Sequence, residues 1–506
     1  MPDDPVVRMK ASRLRKLVHF LLHPGDRLSQ RVVHAGFWAF ALRITGRLFG
    51  LARTIVLARV LSPNDFGLFG ISLLALSVLN TFSQTGFQAA LVQKKGDIKP
   101  YLDTAWTVQV IRGFVLAGIL FGIAPYVASF FGEPMAAPLL RVLGLSAIFQ
   151  GLTNIGVIYF QKELEFHKRF IYMFSGTLAD LGVAIPAALI LRNAWALVFG
   201  LLAGNFVRMA VSYFIHPYRP RVWLDGPKVK ELYTFGKWIL GSSVIVFLAT
   251  QGDDIFLGKV LGATVLGLYQ MAFRFSNLVA TEITHVTSQV TFPAYSKLQD
   301  NVPKLREGFL RTIEAVTSVA LPITAGILIL APDFVQLFLG EKWLPMVPAL
   351  RILSISGLIR SVTATGGPLF QAVGRPNMDF WMNLGRVGVM AMAIYPLTKM
   401  FGMNGTATTV VLGISATIPV WWRVSIGIIK SNYAELLKAL VPSLAGTSIM
   451  SLFMLSTMRV LGKVGFLDFG LLVLIAVIVY LAFQIFLWRR FHYGPIGSLQ
   501  MLKRSL

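Results

Sequence analysis

Residues 36–68 read GFWAFALRITGRLFGLARTIVLARVLSPNDFGL, and residues 236–268 read GKWILGSSVIVFLATQGDDIFLGKVLGATVLGL. Superposed without a gap, the two stretches share Gly36, Trp38, Leu48, Ile55, Leu57, Val60, Leu61, Gly67 and Leu68 with Gly236, Trp238, Leu248, Ile255, Leu257, Val260, Leu261, Gly267 and Leu268. Arg59 and Lys259 match in charge. Apolar composition inflates Leu and Val matches, but Gly and Trp held in one register point to a duplication. Each stretch contains a helix-length apolar run of the roughly 20 residues that a bilayer requires. Each also carries charge inside that run: Arg43, Arg47 and Arg53 in the first copy, Asp253 and Asp254 beside Gln251 in the second.

The rest of the chain has the same character. Of its 506 residues 55% are hydrophobic and only 14% are charged, and the mean hydropathy is +0.67. Soluble domains run nearer 25% charged, so a soluble enzyme is excluded. The net charge of +24 would suggest nucleic acid in a soluble protein. With so few charges to place, their positions matter more than their sum, and no nucleic-acid partner is expected. There is no cysteine, hence no disulfide, thiolate nucleophile or cysteine metal site. The seven histidines show no metal-ligand spacing, and no phosphate-binding P-loop occurs. We expect no enzyme activity and no resident cofactor or metal.

Apolar runs mark about fourteen spans, at 33–60, 65–91, 104–131, 138–161, 170–191, 194–215, 235–261, 264–292, 313–339, 345–372, 378–398, 402–427, 434–458 and 465–488. They are too long and too continuously apolar for barrel strands. The connections between them are short, with no room for an extramembrane domain. The even-numbered connections carry the Lys and Arg: Lys94, Lys95 and Lys99, then Lys162, Lys168 and Arg169, then Arg219, Arg221, Lys228 and Lys230. This bias places both termini in the cytoplasm. Residues 8–23 read as a basic amphipathic helix on an anionic leaflet. Trp421 and Trp422 read as interfacial belt residues.

The expected architecture is all-α. It comprises two six-helix lobes related by a parallel repeat, about a pseudo-two-fold along the membrane normal, plus two C-terminal helices. Its parts are a cytoplasmic segment 1–31, an N-lobe 32–216, a linker 217–234, a C-lobe 235–428, a final helix pair 429–490 and a tail 491–506. Two such lobes flanking a cavity suit alternating access.

An ionisable residue near the bilayer centre is costly unless it is paired or faces water, so each is a pathway candidate. Arg43 and Arg47 lie one turn apart, followed by Arg53. With Arg274 of the eighth span they form the expected anion site, since guanidinium binds phosphate bidentately. Asp253, Asp254 and Glu282 are the expected coupling or gating residues. Arg53 aligns with Asp253 under the repeat, so we expect the two to pair in one access state. Asp254 and Arg274 flank the turn near Thr264 and are expected to pair within the second lobe. For both pairs the plainer reading is a structural salt bridge. Arg112, Asp180, Arg208, Glu314, Arg351, Arg360 and Arg386 are further intramembrane candidates.

Several stretches resemble the polysaccharide transporter family of lipid-linked oligosaccharide flippases, part of the multidrug/oligosaccharidyl-lipid/polysaccharide exporter superfamily. They are LARVLSPNDFGLFG (57–70), GDDIFLGKVLGATVLGLYQMAFRFSNL (252–278), VTFPAYSKLQ (290–299), LFLGEKWLPMVPALRILSISGL (337–358) and QAVGRPNMDF (371–380). The resemblance implies two six-helix bundles and two further helices. It implies a cargo of undecaprenyl-diphosphate-linked oligosaccharide repeat units, moved from the cytoplasmic to the periplasmic leaflet for exopolysaccharide, capsule or O-antigen assembly. Ion coupling through Na+ or H+, and exchange with membrane lipids and the polysaccharide polymerase and export machinery, are further implications. Alternatives within the superfamily are a peptidoglycan lipid-precursor flippase and a multidrug/sodium antiporter. A membrane glycosyltransferase or ligase is a weaker reading, because it needs an extramembrane loop or an interfacial acidic pair that the sequence lacks.

Overall fold

The computed structural model describes residues 28–491, apart from residues 85, 95, 376 and 463. The basic helix expected at 8–23 and the tail beyond residue 491 lie outside the described residues. Every regular element among those residues is helical, and ten helices are long and apolar enough to cross a membrane. An eleventh joins them if the bent pair Ala136–Leu152 and Ile155–Lys162 is one span. The chain is an all-helical, multi-pass membrane protein. Its internal contacts divide it into an N-terminal unit, residues 1–244, and a C-terminal unit, residues 245–506.

In the N-terminal unit α1 spans Leu28–Val60. Ser62 then starts α2 (Pro63–Phe82) with a capping box. The Ser62 side chain accepts from the Asp65 backbone amide, and the Asp65 carboxylate accepts from Ser62 N at 2.9 Å. Pro63 supplies a first helical residue whose missing N–H needs no partner. The unit continues with α3 (Phe87–Gln93), α4 (Lys99–Phe131), α5 (Ala136–Leu152), α6 (Phe166–Leu191) and α7 (Trp195–Ile215). Glycines let these helices meet at backbone distance. A Cβ on Gly113 would lie 2.6 Å from the Ala147 carbonyl oxygen, and one on Gly204 would lie 2.8 Å from that of Gly176.

Two expected spans are interrupted here. The run 65–91 breaks between α2 and α3, where Gly86 has φ 69°. The run 138–161 breaks after α5 at Thr153–Asn154 and bends by 72°. The linker expected at 217–234 is non-helical only to residue 225, because α8 (Gly226–Ser276) starts there. That stretch is pinned to its own unit. Tyr218 Oη donates to Asp103 Oδ1 at 2.5 Å, the Trp223 amide donates to Thr107 Oγ1 at 2.9 Å, and Asn154 Nδ2 donates to the Tyr218 carbonyl at 2.6 Å. Burial, then the bond to Asp103, raises the Tyr218 phenol above its ordinary pKa. Glu231, on the first turns of α8, accepts from Lys94 and from Tyr101. Those two donors hold its carboxyl below the usual carboxylate range.

The C-terminal unit contains two tight reversals. At Gly262 (φ 79°, ψ 178°) α8 stops being helical, and across it Tyr269 Oη donates to Asp253 Oδ2 at 2.5 Å. The helix therefore doubles back, at the turn expected between 261 and 264. The same happens inside α13 (Asn377–Ser415) at Gly402, where the Thr398 and Thr406 hydroxyls lie 2.8 Å apart. Between these runs lie α9 (Leu278–Leu298), α10 (Val302–Phe334), α11 (Val347–Thr363) and α12 (Gly366–Ala372). After α14 (Ile418–Ile429), the last helices α15 (Tyr433–Leu461) and α16 (Phe466–Phe491) join this unit. Arg306 of α10 pairs with Glu435, Tyr480 Oη donates to the Ser318 carbonyl at 2.8 Å, and Gln484 Nε2 donates to that of Pro442 at 3.0 Å. Trp421 is not a belt residue. It is 1% exposed and packs in a core with Phe309, Phe370 and Tyr295, while Trp422 packs on Tyr433.

The reversal at Gly402 has almost no tolerance. A Cβ on Gly405 would lie 1.9 Å from the Leu397 carbonyl oxygen, whereas one on Gly427 would meet nothing within 4 Å. Gly405→Ala should destabilise the purified protein by about 1–3 kcal/mol through overpacking, lowering its thermal midpoint in detergent. Gly427→Ala should leave that midpoint unchanged or raise it.

Candidate functional site

Of the expected anion residues Arg43, Arg47 and Arg53 lie in the N-terminal unit, whereas Arg274 lies in the C-terminal unit with the expected coupling residues Asp253, Asp254 and Glu282. In the N-terminal unit Arg53 of α1 reaches α6, where its Nη2 lies 2.9 Å from Asp180 Oδ1. The two side chains are only 14% and 20% exposed. Glycines make the space for them. A Cβ on Gly200 would lie 2.5 Å from Asp180 Oδ1, and one on Gly176 would lie 2.3 Å from Arg208 Nε. Arg208, on α7, also donates to Asn205 Oδ1 at 3.1 Å. Arg53, Asp180 and Arg208 thus form a half-buried group with one more cation than anion. Arg43 and Arg47 stand on the same helix as Arg53, the former half-buried and the latter exposed. The repeat register had suggested Asp253 as the partner of Arg53. Within its own unit Arg53 pairs with Asp180, because α1 packs on α6.

The C-terminal unit gathers the carboxylates. Asp253 is 3% exposed and accepts from the Tyr269 hydroxyl. Arg386 of α13 is close enough for its charge to act on Asp253, and Arg360 of α11 is close enough to feel Arg386. Arg360 is also tied to α9, through a 2.9 Å bond from its Nη2 to Thr281 Oγ1. Asp254 has Gln270 as its polar neighbour, and its Oδ1 is buried without a hydrogen-bond partner among the described residues. The partner expected for it was Arg274. That arginine is exposed at the last turn of α8, before the break at Asn277, while Glu282 is half-buried on α9 beyond it. Adjacent residues on one helix point in different directions, so Asp253 and Asp254 meet different neighbours.

A third feature was marked in the sequence by one intramembrane candidate, Arg112. The N-terminal unit encloses a cavity of about 1180 Å³, lined by α2–α6 and the turn after α5. Two of its wall residues sit one turn apart on α4. Arg112 Nε donates to the Ser83 carbonyl at 3.0 Å, and its Nη2 donates to the Asn80 carbonyl at 3.1 Å and to Asn80 Oδ1 at 2.9 Å. Gln109 Nε2 donates to the carbonyls of Gln150, Gly151 and Thr153 at 2.9, 3.1 and 3.3 Å. These carbonyls belong to the ends of α2 and α5, where the helices break and the regular helical bonds run out. Among the described residues no cluster of His, Asp or Glu could hold a metal ion.

The Arg53–Asp180 contact predicts a partner-specific rescue. Removing one member of a buried pair costs about 3–5 kcal/mol. Asp180→Asn should therefore lower the thermal midpoint, and both Arg53→Asp and Asp180→Arg should impair transport. Combining the two reversals should restore transport.

Comparison with known proteins agrees with this architecture. The family model described as "Polysaccharide biosynthesis protein" matches residues 56–348. The lipopolysaccharide biosynthesis protein WzxC of Escherichia coli is 27% identical over 82% of this chain and 85% of its own length. The succinoglycan biosynthesis transport protein ExoT of Rhizobium meliloti is 24% identical over 65% and 67%. Among solved structures, the lipid II flippase MurJ in an inward closed conformation superposes with a TM-score of 0.73 at 14% identity, covering 90% of this chain and 100% of its own. An inward-facing multidrug resistance transporter of the MATE family gives 0.60 at 19% identity, over 76% and 95%. At such identities the structural likeness shows the fold alone. The model match spans more than half of the chain, so the chain belongs to the polysaccharide biosynthesis protein family, within the multidrug/oligosaccharidyl-lipid/polysaccharide exporter superfamily that its sequence resembles.

Proposed function

We propose that the protein is a secondary flippase. It carries undecaprenyl-diphosphate-linked oligosaccharide repeat units from the cytoplasmic to the periplasmic leaflet for exopolysaccharide, capsule or O-antigen assembly. In this reading it has fourteen spans in the inner membrane, two six-helix lobes related by the parallel repeat, and both termini in the cytoplasm. The observation that carries the reading is the arginine-rich cluster of α1, α6 and α7, held inside an apolar helical unit. Arg53 and Arg208 outnumber Asp180, and Arg43 and Arg47 extend the positive charge along α1. Such a surface favours a phosphate-bearing cargo and opposes a cation, which counts against a multidrug cation exporter. Arg274, exposed at the end of α8, is the anion contact assigned to the other unit. Family membership favours a polysaccharide precursor over the lipid precursor of peptidoglycan.

Coupling is assigned to Asp253 and Asp254, with Glu282 as a gating residue. Two adjacent carboxylates in an apolar unit repel each other, and a proton or Na+ relieves that repulsion. The Tyr269 hydroxyl on Asp253 and the bare Oδ1 of Asp254 leave the second carboxylate open to such a cation. The polymerase and export machinery would receive the cargo on the far side.

Deletion in the host should accumulate the lipid-linked repeat unit on the cytoplasmic leaflet. Unchanged glycolipid distribution together with drug hypersensitivity would instead favour the antiporter, and accumulation of the peptidoglycan precursor would favour the other flippase. In the complemented strain, Arg47→Gln and Arg53→Gln should each reduce polymer export while leaving the protein in the membrane. Losing a hydrogen bond to a charged group costs about 1.5–3 kcal/mol, roughly ten- to a hundred-fold in apparent affinity. Full export by both variants would sink the anion site. In proteoliposomes, Asp254→Asn should abolish the dependence of lipid translocation on an imposed H+ or Na+ gradient.

A further inference from the structure

The cavity of the N-terminal unit is distinct from the arginine cluster, and its lining has a different chemistry. Its volume of about 1180 Å³ exceeds the roughly 300–1,000 Å³ of sites for drug-sized ligands. No carboxylate lines it among the described residues, which gives a cation no anchor. An anion is disfavoured too. Both interrupted helices, α2 and α5, turn their C-terminal ends toward one turn of α4, and a helix C-terminus carries partial negative charge. Arg112 and Arg169 line the cavity and could offset this, but Nε and Nη2 of Arg112 are spent on the carbonyls of Ser83 and Asn80, and Arg169 lies over the Phe166 ring with its Nη1 donating to Gln161 Oε1 at 3.5 Å.

Beside these two engaged arginines the polar lining is mostly neutral carboxamide. Gln88, Gln93 and Gln150 line the cavity and are exposed to it. A carboxamide offers two N–H donors and two acceptor lone pairs, which matches sugar hydroxyls, themselves both donors and acceptors. Tyr172 adds an aromatic face with a hydroxyl, and Leu73 and Leu116 form an apolar flank. Discontinuous helices around a polar cavity are a common form of transporter substrate site, because irregular backbone is tolerated at membrane depth only where it lines a cavity or is buried in protein. The breaks at Gly86 and at Thr153–Asn154 open this cavity at the end of the unit that carries Lys94, Lys99 and Lys162.

We infer that this cavity binds the neutral, polyhydroxylated glycan of the cargo, separately from the diphosphate, and so selects for the presence of sugar. The inference rests on the flippase reading. It is tested with the full chain purified into lipid nanodiscs and two probes, farnesyl diphosphate and farnesyl diphosphate carrying one hexose, glucose or galactose. Wild-type protein should bind at least one hexose-bearing probe roughly tenfold more tightly than the bare diphosphate, as expected for several net hydrogen bonds. Combining Gln88→Leu, Gln93→Leu and Gln150→Leu should cut that preference to roughly twofold or less while leaving bare-diphosphate affinity unchanged, which also reports that the variant is folded. A variant that keeps the full preference would overturn the inference, as would wild-type protein that binds both probes equally. Wild-type protein that binds neither probe would overturn the flippase reading and this inference with it.

Discussion

Inside a bilayer no water is at hand to satisfy a charge or an unpaired backbone group, so each must find its partner within the protein. This constraint organises the structure. It explains why Arg53 crosses from α1 to Asp180 on α6, and why glycines at 176 and 200 hollow out room for Asp180 and Arg208. It also explains why Arg112 and Gln109 sit on adjacent turns of α4, each capping the carbonyls that a broken helix exposes. Where the breaks fall, polar side chains follow.

The same constraint separates two kinds of polar group. Arg53, Asp180 and Asp253 hold one another or a hydroxyl, so their geometry is set by the fold. Gln88, Gln93 and Gln150 face open space and have no structural duty that would explain their cost in an apolar unit. Paired charges and unpaired neutral amides are thus two chemically distinct classes, one suited to phosphate and the other to hydroxyls.

Much of the fold was legible in the chain because lipid imposes a length and a composition on every span. The reversal at Gly262 lies between the expected limits 261 and 264, and the one at Gly402 lies at the start of the span expected from 402. The Ser62–Asp65 cap stands where LSPND interrupts the apolar run. The intramembrane charges were conspicuous for their rarity, and Asp180, Arg208, Arg360 and Arg386 all prove to lie in the two clusters. The breaks after α2 and α5 were missed because apolar continuity hides a local change of backbone direction. Their signals were faint: Gly86 after Ser83, and Asn154, which caps the following turn. The glutamines escaped notice because a scan for charge passes over an uncharged amide.

By itself the sequence determined that this is a helical, multi-pass membrane protein, where most of its helices begin and end, and which of its rare charges lie within them. Those properties are local, written in runs of about 20 residues and in single punctuating residues. The partners of those charges were decided only by the tertiary structure. Arg53 meets Asp180 within its own unit, Asp253 meets the Tyr269 hydroxyl, and Trp421 leaves the interface for the core. The physical reason is that a partner is chosen by which helix faces pack together, and that depends on contacts far apart in the chain.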